Sequence, residues 1–430
     1  MKKKLILKQI IRDFHLSSNF DVKPRELQLP LNTNKIITLI GVRRSGKSSI
    51  LYETINRLTK NVSKDNIVYI NFEDEGLDLT TKELDEIIES YRELYPNKDL
   101  KRCYFFFDEI QNVNGWERFV RRLYDTISKH IFITGSNSKL LSSEIATSLR
   151  GRTLTFEVFP LSFREYLNFL DIEQDLYSSK AVAKIKNAQN AFLQDGAFPE
   201  ILFLDKQYHI QLLQEYFNVL LYQDLVERYS ISNTTALKYF LKRLLASSTK
   251  QISINKIYNE LKSNGIKIGK NTLYDFLDYA QNIYLSLILH RYDNTLVNKE
   301  LGEKKVFSID VGLNNAIEFC FSKNLGKALE NVVFLELRRE FKDIFYYRDN
   351  SSECDFLIQK NGELKAYQVT YEMSSEDTKK REIKGLINAC KKFNLKNGTI
   401  ITYDTLDSIV IDDININIVP FYRWVIEKNF

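Results

Sequence analysis

The stretch Ile36-Ile-Thr-Leu-Ile40-Gly41-Val-Arg-Arg-Ser-Gly-Lys47-Ser48-Ser49-Ile-Leu-Tyr-Glu-Thr-Ile-Asn-Arg-Leu58 decides the reading of this chain. Its centre fits the phosphate-binding pattern G-x-x-x-x-G-K-[ST], with an apolar run before it that predicts a strand and an amphipathic run after it that predicts a helix. Gly41 and Gly46 let the backbone of Arg43, Arg44 and Ser45 wrap a phosphate with N–H groups, and a helix beginning near Lys47 aims its positive end there. Lys47 is expected to reach the β- and γ-phosphates and Ser48 to ligate Mg²⁺, with Ser49 beside them. The pattern implies a site for ATP or GTP.

A metal-bound nucleotide also needs an acid. Cys103-Tyr-Phe-Phe-Phe-Asp108-Glu109 supplies two at the end of an apolar strand, about sixty residues after the loop, the order a doubly wound domain produces. Asp108 would hold Mg²⁺ through water, and Glu109 would polarise the attacking water. The next apolar run, Ile131 to Thr134, ends in Gly135-Ser136-Asn137. Ser136 or Asn137 can sense the γ-phosphate, or cap a helix running to about Leu149; the two roles are compatible. Arg150 and Arg152 follow, either as a finger into a neighbour's γ-phosphate or as a solvated pair.

These motifs, together with Phe106-Phe-Asp-Glu-Ile-Gln111, Trp116, Thr134-Gly-Ser-Asn-Ser138 and Phe159-Pro-Leu-Ser-Phe-Arg-Glu-Tyr166, resemble those of prokaryotic AAA+-type ATPases. The narrower resemblance is to the archaeal and bacterial group in which this module precedes a C-terminal domain of unknown function. Gly196-Ala-Phe-Pro-Glu200 and Tyr222-Gln-Asp-Leu225 extend it over nearly the whole chain. The resemblance implies ATP as the nucleotide; the lack of an N-K-x-D segment agrees.

At 430 residues and 44% hydrophobic content, the chain is long enough for two or three cores. Sixty-one basic against 56 acidic residues leave only +5, so any basic face for nucleic acid must be local. Cys103, Cys320, Cys354 and Cys390 form no C-x-x-C pair, and four histidines do not complete a zinc site. Scattered thiols suit a reducing cytoplasm. Lys8 and Arg12 interrupt the N-terminal apolar stretch, no small-residue cleavage site follows, and no apolar run reaches the ~20 residues that span a bilayer. A cytoplasmic protein without a membrane partner is expected.

The expected fold class is α/β: a P-loop AAA+-type parallel-sheet domain over residues 1–160, a helical lid over 161–248, a winged helix-turn-helix over 249–300 and an α/β restriction-endonuclease-like domain over 301–430. The first rests on strands at Ile36 to Ile40, Ile67 to Phe72, Tyr104 to Phe107 and Ile131 to Thr134, alternating with helical patterns such as Lys82 to Tyr95. Glu73 and Asp74 end the second strand on the loop's side, to position metal or water or to solvate a turn. The lid rests on helical spacing at Leu212 to Arg228 and Thr235 to Leu245. The winged helix rests on Ile254 to Leu261, a turn at Asn264-Gly265, Thr272 to Ala280 and a strand from Tyr284 to His290. Asp275 and Asp278 on its second helix would repel phosphates, which favours a structural or interaction role over base reading.

In the C-terminal part a helix from Lys327 to Arg339 and extended runs at Phe345 to Tyr347, Asp355 to Gln359 and Ala366 to Thr370 are expected. Glu330, Asp355 and Gln368-Val-Thr370 stand in the order acid, acid, Gln/Glu-x-Lys, which resembles a restriction-endonuclease core. Asp355 and Gln368 can offer oxygens to Mg²⁺. Thr370 stands where that core has its lysine, Lys365 faces the other side of the strand, and Lys379, Lys380 and Lys384 on the next helix are substitutes or merely a solvated face.

The sequence therefore predicts an ATPase using ATP and Mg²⁺, forming a homo-oligomer if Arg150 or Arg152 acts in trans, and coupled to DNA. Two alternatives stand beside it: a slow nucleotide switch that binds a protein partner, and a metal-dependent nuclease gated by ATP.

Overall fold

The structure is a computed structural model that describes residues 2–136, 149–293, 295, 302–318, 324–349, 352–360, 362–373 and 376–428. The chain divides into two units, Met1–Val158 and Phe159–Phe430.

In the first unit β1 (Ile36–Ile40), β2 (Ile67–Asn71), β3 (Tyr104–Asp108), β4 (Ile131–Gly135) and β5 (Thr153–Glu157) form a parallel sheet in the order β2-β3-β4-β1-β5. A parallel sheet is covered on both faces, so its inner strands are apolar throughout rather than alternating. β1 and β4 are buried at every position. Helices Lys47–Leu58, Asp85–Leu94 and Trp116–Thr126 connect the strands. All four expected strands are present. β5 was not expected, because the sheet-edge sequence Thr-Leu-Thr-Phe-Glu is half-buried and lacks an apolar run.

Residues 2–34 lend a few side chains to this unit's core. Helix Lys2–Leu16 packs on Asp85–Leu94, and Phe14 and Leu29 join Leu39, Ile50, Phe106 and Phe132 in one buried cluster.

The second unit begins helically: Phe163–Phe169, Ser179–Asp195, His209–Val219, Thr234–Ala246, Ile254–Ser263 and Lys270–Asn282. The single helix expected from Leu212 to Arg228 passes into a π-helical segment at Leu220–Glu227. Such segments are rare and tend to mark functional positions. Gly196, in the Gly-Ala-Phe-Pro-Glu motif, has φ +85°, and a Cβ there would lie 2.2 Å from Asp310 Oδ1. Asp310 accepts hydrogen bonds from Ala197 N (2.7 Å) and Leu313 N (2.9 Å), so this motif docks a loop onto the start of helix Val311–Ile317.

The remaining strands are β6 (Ser286–Arg291), β7 (Lys304–Ser308), β8 (Ile344–Arg348), β9 (Glu353–Lys360), β10 (Glu363–Val369), β11 (Asn397–Thr402), β12 (Asp407–Ile411) and β13 (Ile414–Pro420). They form one mixed sheet, β12-β13-β11-β10-β9-β8-β6-β7. Thus the strand expected as part of a separate winged helix pairs antiparallel with β7 and parallel with β8, inside the C-terminal sheet. A boundary at residue 300 would cut that sheet. Helix Leu325–Glu340 also packs on the sheet, against β7 and β10. Helix Glu376–Lys392 packs on β9, β10 and β11 over a core that includes Leu357, Leu386, Ile400 and Ile416.

Candidate nucleotide site

The loop between β1 and helix Lys47–Leu58 has the geometry of an anion cradle. A Cβ on Gly41 would lie 2.0 Å from Val158 O, so only glycine lets the two backbones pass. Arg44 (φ 66°) and Gly46 (φ 96°) take left-handed conformations that curl the loop back on itself. Gly46 caps the helix without a side chain, and the first turn carries no acid. The positive end of the helix is therefore open to a phosphate. Ser45 Oγ is fully buried and has no hydrogen-bond partner among the described residues. These features fit a nucleotide phosphate.

Lys47 is buried, with Nζ 3.2 Å from Gly41 O, from Val42 O and from Glu109 Oε1. Asp108, at the end of β3, is 1% exposed. Its Oδ1 accepts from Thr134 Oγ1 on β4 and its Oδ2 from Tyr69 on β2 at 3.0 Å, and the Ser48 hydroxyl bonds to the same carboxylate. Burial pushes Asp108 above the usual carboxylate range, against the hydrogen bonds from Thr134 and Ser48. Burial also raises the Tyr69 phenol, and the Asp108 charge adds to this, so Tyr69 remains a donor. Ser48 and Asp108 would hold Mg²⁺; as hard oxygen donors beside the phosphate cradle they suit that ion.

Glu109 sits one residue beyond β3 in a left-handed conformation (φ 50°, ψ 42°) that starts a 3₁₀ turn, Ile110–Asn112. Its N–H donates to Thr134 Oγ1 (2.8 Å), and its Oε2 receives Gln111 Nε2 at 2.5 Å. Burial alone would raise its pKa, but Lys47, Gln111 and Arg43 together bring it below the usual range. Glu109 is thus a buried, ionised carboxylate facing the loop lysine.

Other expected residues are placed as follows. Ser136 is buried, with Oγ 3.4 Å from Gln111 Nε2, and Asn137 lies outside the described residues. Ser49 lies in the first turn of helix Lys47–Leu58. Glu73 pairs with Arg43, and Asp74 accepts from Gly76 N (2.9 Å), so Glu73 braces the loop and Asp74 shapes a turn. Arg44 and Arg150 are exposed. Arg152 grips Asp125 with two nitrogens, at 3.0 and 3.3 Å, within its own unit.

Several partners had no signal in the sequence. Arg25 Nη1 donates to Ser45 O (2.7 Å) from a segment with no motif. Tyr69 lies on a strand read only for its apolar run, yet its hydroxyl touches Asp108 and lies 3.0 Å from that of Tyr52.

The second expected cluster forms, but with a different cation. Lys305 on β7, not Lys365, Lys379, Lys380 or Lys384, meets the acids: its Nζ lies 2.6 Å from Glu353 Oε1, 3.2 Å from Glu330 Oε1 and 3.3 Å from Asp355 Oδ1. Gln368 is also not an open metal ligand. Its Oε1 accepts from Asp355 N (3.2 Å) and its Nε2 donates to Glu382 Oε2 (2.6 Å). Burial would lower the Lys305 pKa, but Glu330, Asp355 and Glu353 hold it well above the ordinary value. The ammonium fills the place among the carboxylates that a metal would need, and no group of three or more metal-binding side chains occurs among the described residues. Lys305→Met, which leaves these acids unpaired, should cost about 3–5 kcal/mol of stability. Urea unfolding of the full chain checks this.

Comparisons with known proteins agree with the geometry at the nucleotide site. Residues 33–167 match the family model of an AAA domain, residues 187–324 a domain of unknown function (DUF8612), and residues 325–424 another (DUF4143). The chain is 40% identical to the uncharacterized protein MJ1544 of Methanocaldococcus jannaschii, covering 98% of this chain and 95% of that protein. The chain belongs to the family of MJ1544. An uncharacterized protein of Haemophilus influenzae is also similar, 30% identical over 80% of this chain and 84% of its own length. Among solved structures, the Orc1 protein of Aeropyrum pernix in complex with DNA aligns over 73% of this chain and 91% of its own, with 13% identity. The TM-score of that alignment is 0.32. This member of the MJ1544 family thus carries a P-loop AAA domain, which implies ATP binding and hydrolysis. No described helix is long and apolar enough to cross a membrane.

Proposed function

We propose that this protein is a Mg²⁺-dependent ATPase whose turnover is coupled to nucleic-acid binding or remodelling. The observation that carries the enzymatic part is the contact between Lys47 and Glu109, 3.2 Å apart and buried beside Asp108. When phosphate enters the cradle, Lys47 has a stronger partner than two carbonyls and one carboxylate, so it transfers to the β- and γ-oxygens. Glu109 Oε1 is then released to accept a proton from water. The water oxygen forms a bond to the γ-phosphorus as the bond to the bridging oxygen breaks, giving ADP and phosphate, with the proton on Glu109. Mg²⁺, held by Ser48 and Asp108, would neutralise charge on the phosphate oxygens.

Exposed Arg150 is our choice for a finger acting across a homo-oligomer; the Asp125 clamp argues against Arg152. Ser136 and Asn137 remain our candidates for sensing the γ-phosphate.

In the second unit, we read 161–248 as the lid, and helices Ile254–Ser263 and Lys270–Asn282 as a helix-turn-helix with a structural role. The strands around Asp355 support a restriction-endonuclease-like fold. Lys305 among its acids favours binding over cleavage. Support for a nucleic-acid partner comes from helix Glu376–Lys392, whose Lys380, Arg381, Lys384, Lys391 and Lys392 are exposed. A protein partner is the second reading, favoured by exposed Phe203, Tyr208 and Ile210. Buried free thiols at Cys103, Cys354 and Cys390 suit the cytoplasm.

ATP hydrolysis should rise on adding single-stranded, duplex or branched DNA, and the stimulation should weaken as salt rises from about 50 to 200 mM. Hydrolysis indifferent to every DNA would move the reading to the protein partner.

A further inference from the structure

We propose that Gln111 positions the attacking water together with Glu109, one end of its amide holding the carboxylate and the other receiving a water hydrogen. This rests on the ATPase reading above and adds a residue to it. The left-handed Glu109 and the 3₁₀ turn after it fold the chain so that the side chain of residue 111 returns beside that of residue 109. Gln111 Nε2 lies 2.5 Å from Glu109 Oε2 and 3.4 Å from Ser136 Oγ. These neighbours fix which end of the amide is which, because a carbonyl oxygen in that place would face a carboxylate. The other end, Oε1, is a buried acceptor with no hydrogen-bond partner among the described residues.

A buried acceptor left without a donor is unfavourable, so its presence beside the reacting carboxylate calls for one. Both oxygens of Glu109 are occupied, Oε1 by Lys47 and Oε2 by Gln111. Transfer of Lys47 to the phosphates frees Oε1 alone. A water arriving there meets two acceptors, Glu109 Oε1 and Gln111 Oε1, and has one hydrogen for each. Its lone pair is then left for the γ-phosphorus, while the proton that leaves goes to Glu109. Gln111 gains and loses no proton; it is a positioning residue that restricts how the water sits.

The test compares steady-state ATP hydrolysis and equilibrium binding of a fluorescent ATP analogue in the wild type, Glu109→Gln and Gln111→Met, all as full chains. Methionine keeps the side-chain length and removes both polar ends. Gln111→Met should lose about 10²-fold in kcat while KM and analogue affinity stay within about twofold. Wild-type kcat in that variant would overturn the proposal, as would a loss confined to nucleotide affinity, the sign of a structural role only. If the wild type and Gln111→Met hydrolyse alike while Glu109→Gln does not, Gln111 fails and the ATPase reading stands. No hydrolysis by the wild type overturns both.

Discussion

Glu109→Gln is expected to lower kcat for ATP about 10³-fold while nucleotide binding persists. Glutamine keeps the shape, and its carbonyl can still accept from Gln111 Nε2, so the turn after β3 should hold. The variant lacks a group that takes a proton and a negative charge facing Lys47. The lysine is then released toward the phosphates without leaving an anion behind, so ATP affinity should be equal to or tighter than that of the wild type. Single-turnover hydrolysis and analogue binding, measured on one preparation, separate these effects. A kcat near the wild-type value would remove Glu109 from the chemistry.

Lys47→Ala is expected to weaken ATP binding by about 10²-fold or more, since it removes charge-assisted bonds to phosphate worth roughly 1.5–3 kcal/mol each. It should also change the stability of the nucleotide-free protein with pH. In the wild type, Lys47 helps to hold Glu109 below the ordinary carboxylate range. A depressed carboxylate contributes stability above its unfolded pKa, and that contribution is lost as pH falls through the folded pKa. Without Lys47, burial dominates and raises Glu109, so the variant should be less stable than the wild type near neutrality and approach it in acid. Equilibrium binding and thermal unfolding across pH check both parts; equal stability at every pH would show that the pair contributes nothing.

The parallel sheet was legible because its inner strands are buried on both faces and are written as apolar runs, from Ile36 to Ile40 and from Tyr104 to Phe107. The phosphate loop was legible because its chemistry depends on spacing within eight residues. What lay outside those conditions was missed. The edge strand Thr153–Glu157 has no apolar run, and Arg25 reaches the loop from twenty residues away. Gln111 stands inside the motif Phe106-Phe-Asp-Glu-Ile-Gln111, yet the place of its side chain depends on the left-handed turn at Glu109, which side-chain pattern does not encode. Lys305 illustrates the limit most clearly. The order acid, acid, Gln-x-Thr drew attention to the strand bearing Gln368 and the helix after it, whereas the lysine enters from β7, fifty residues before Asp355, through pairings that only the folded sheet creates. The strand Ser286–Arg291 is legible as extended, but its pairing with β7 and β8 is not, because pairing across a sheet leaves no local trace.

The most direct test of the central claim is phosphate release from ATP by the purified full chain in Mg²⁺, compared with the same chain in EDTA and with Lys47→Ala in Mg²⁺. The account predicts release in the first case and loss of it in the other two; equal release in all three would contradict it.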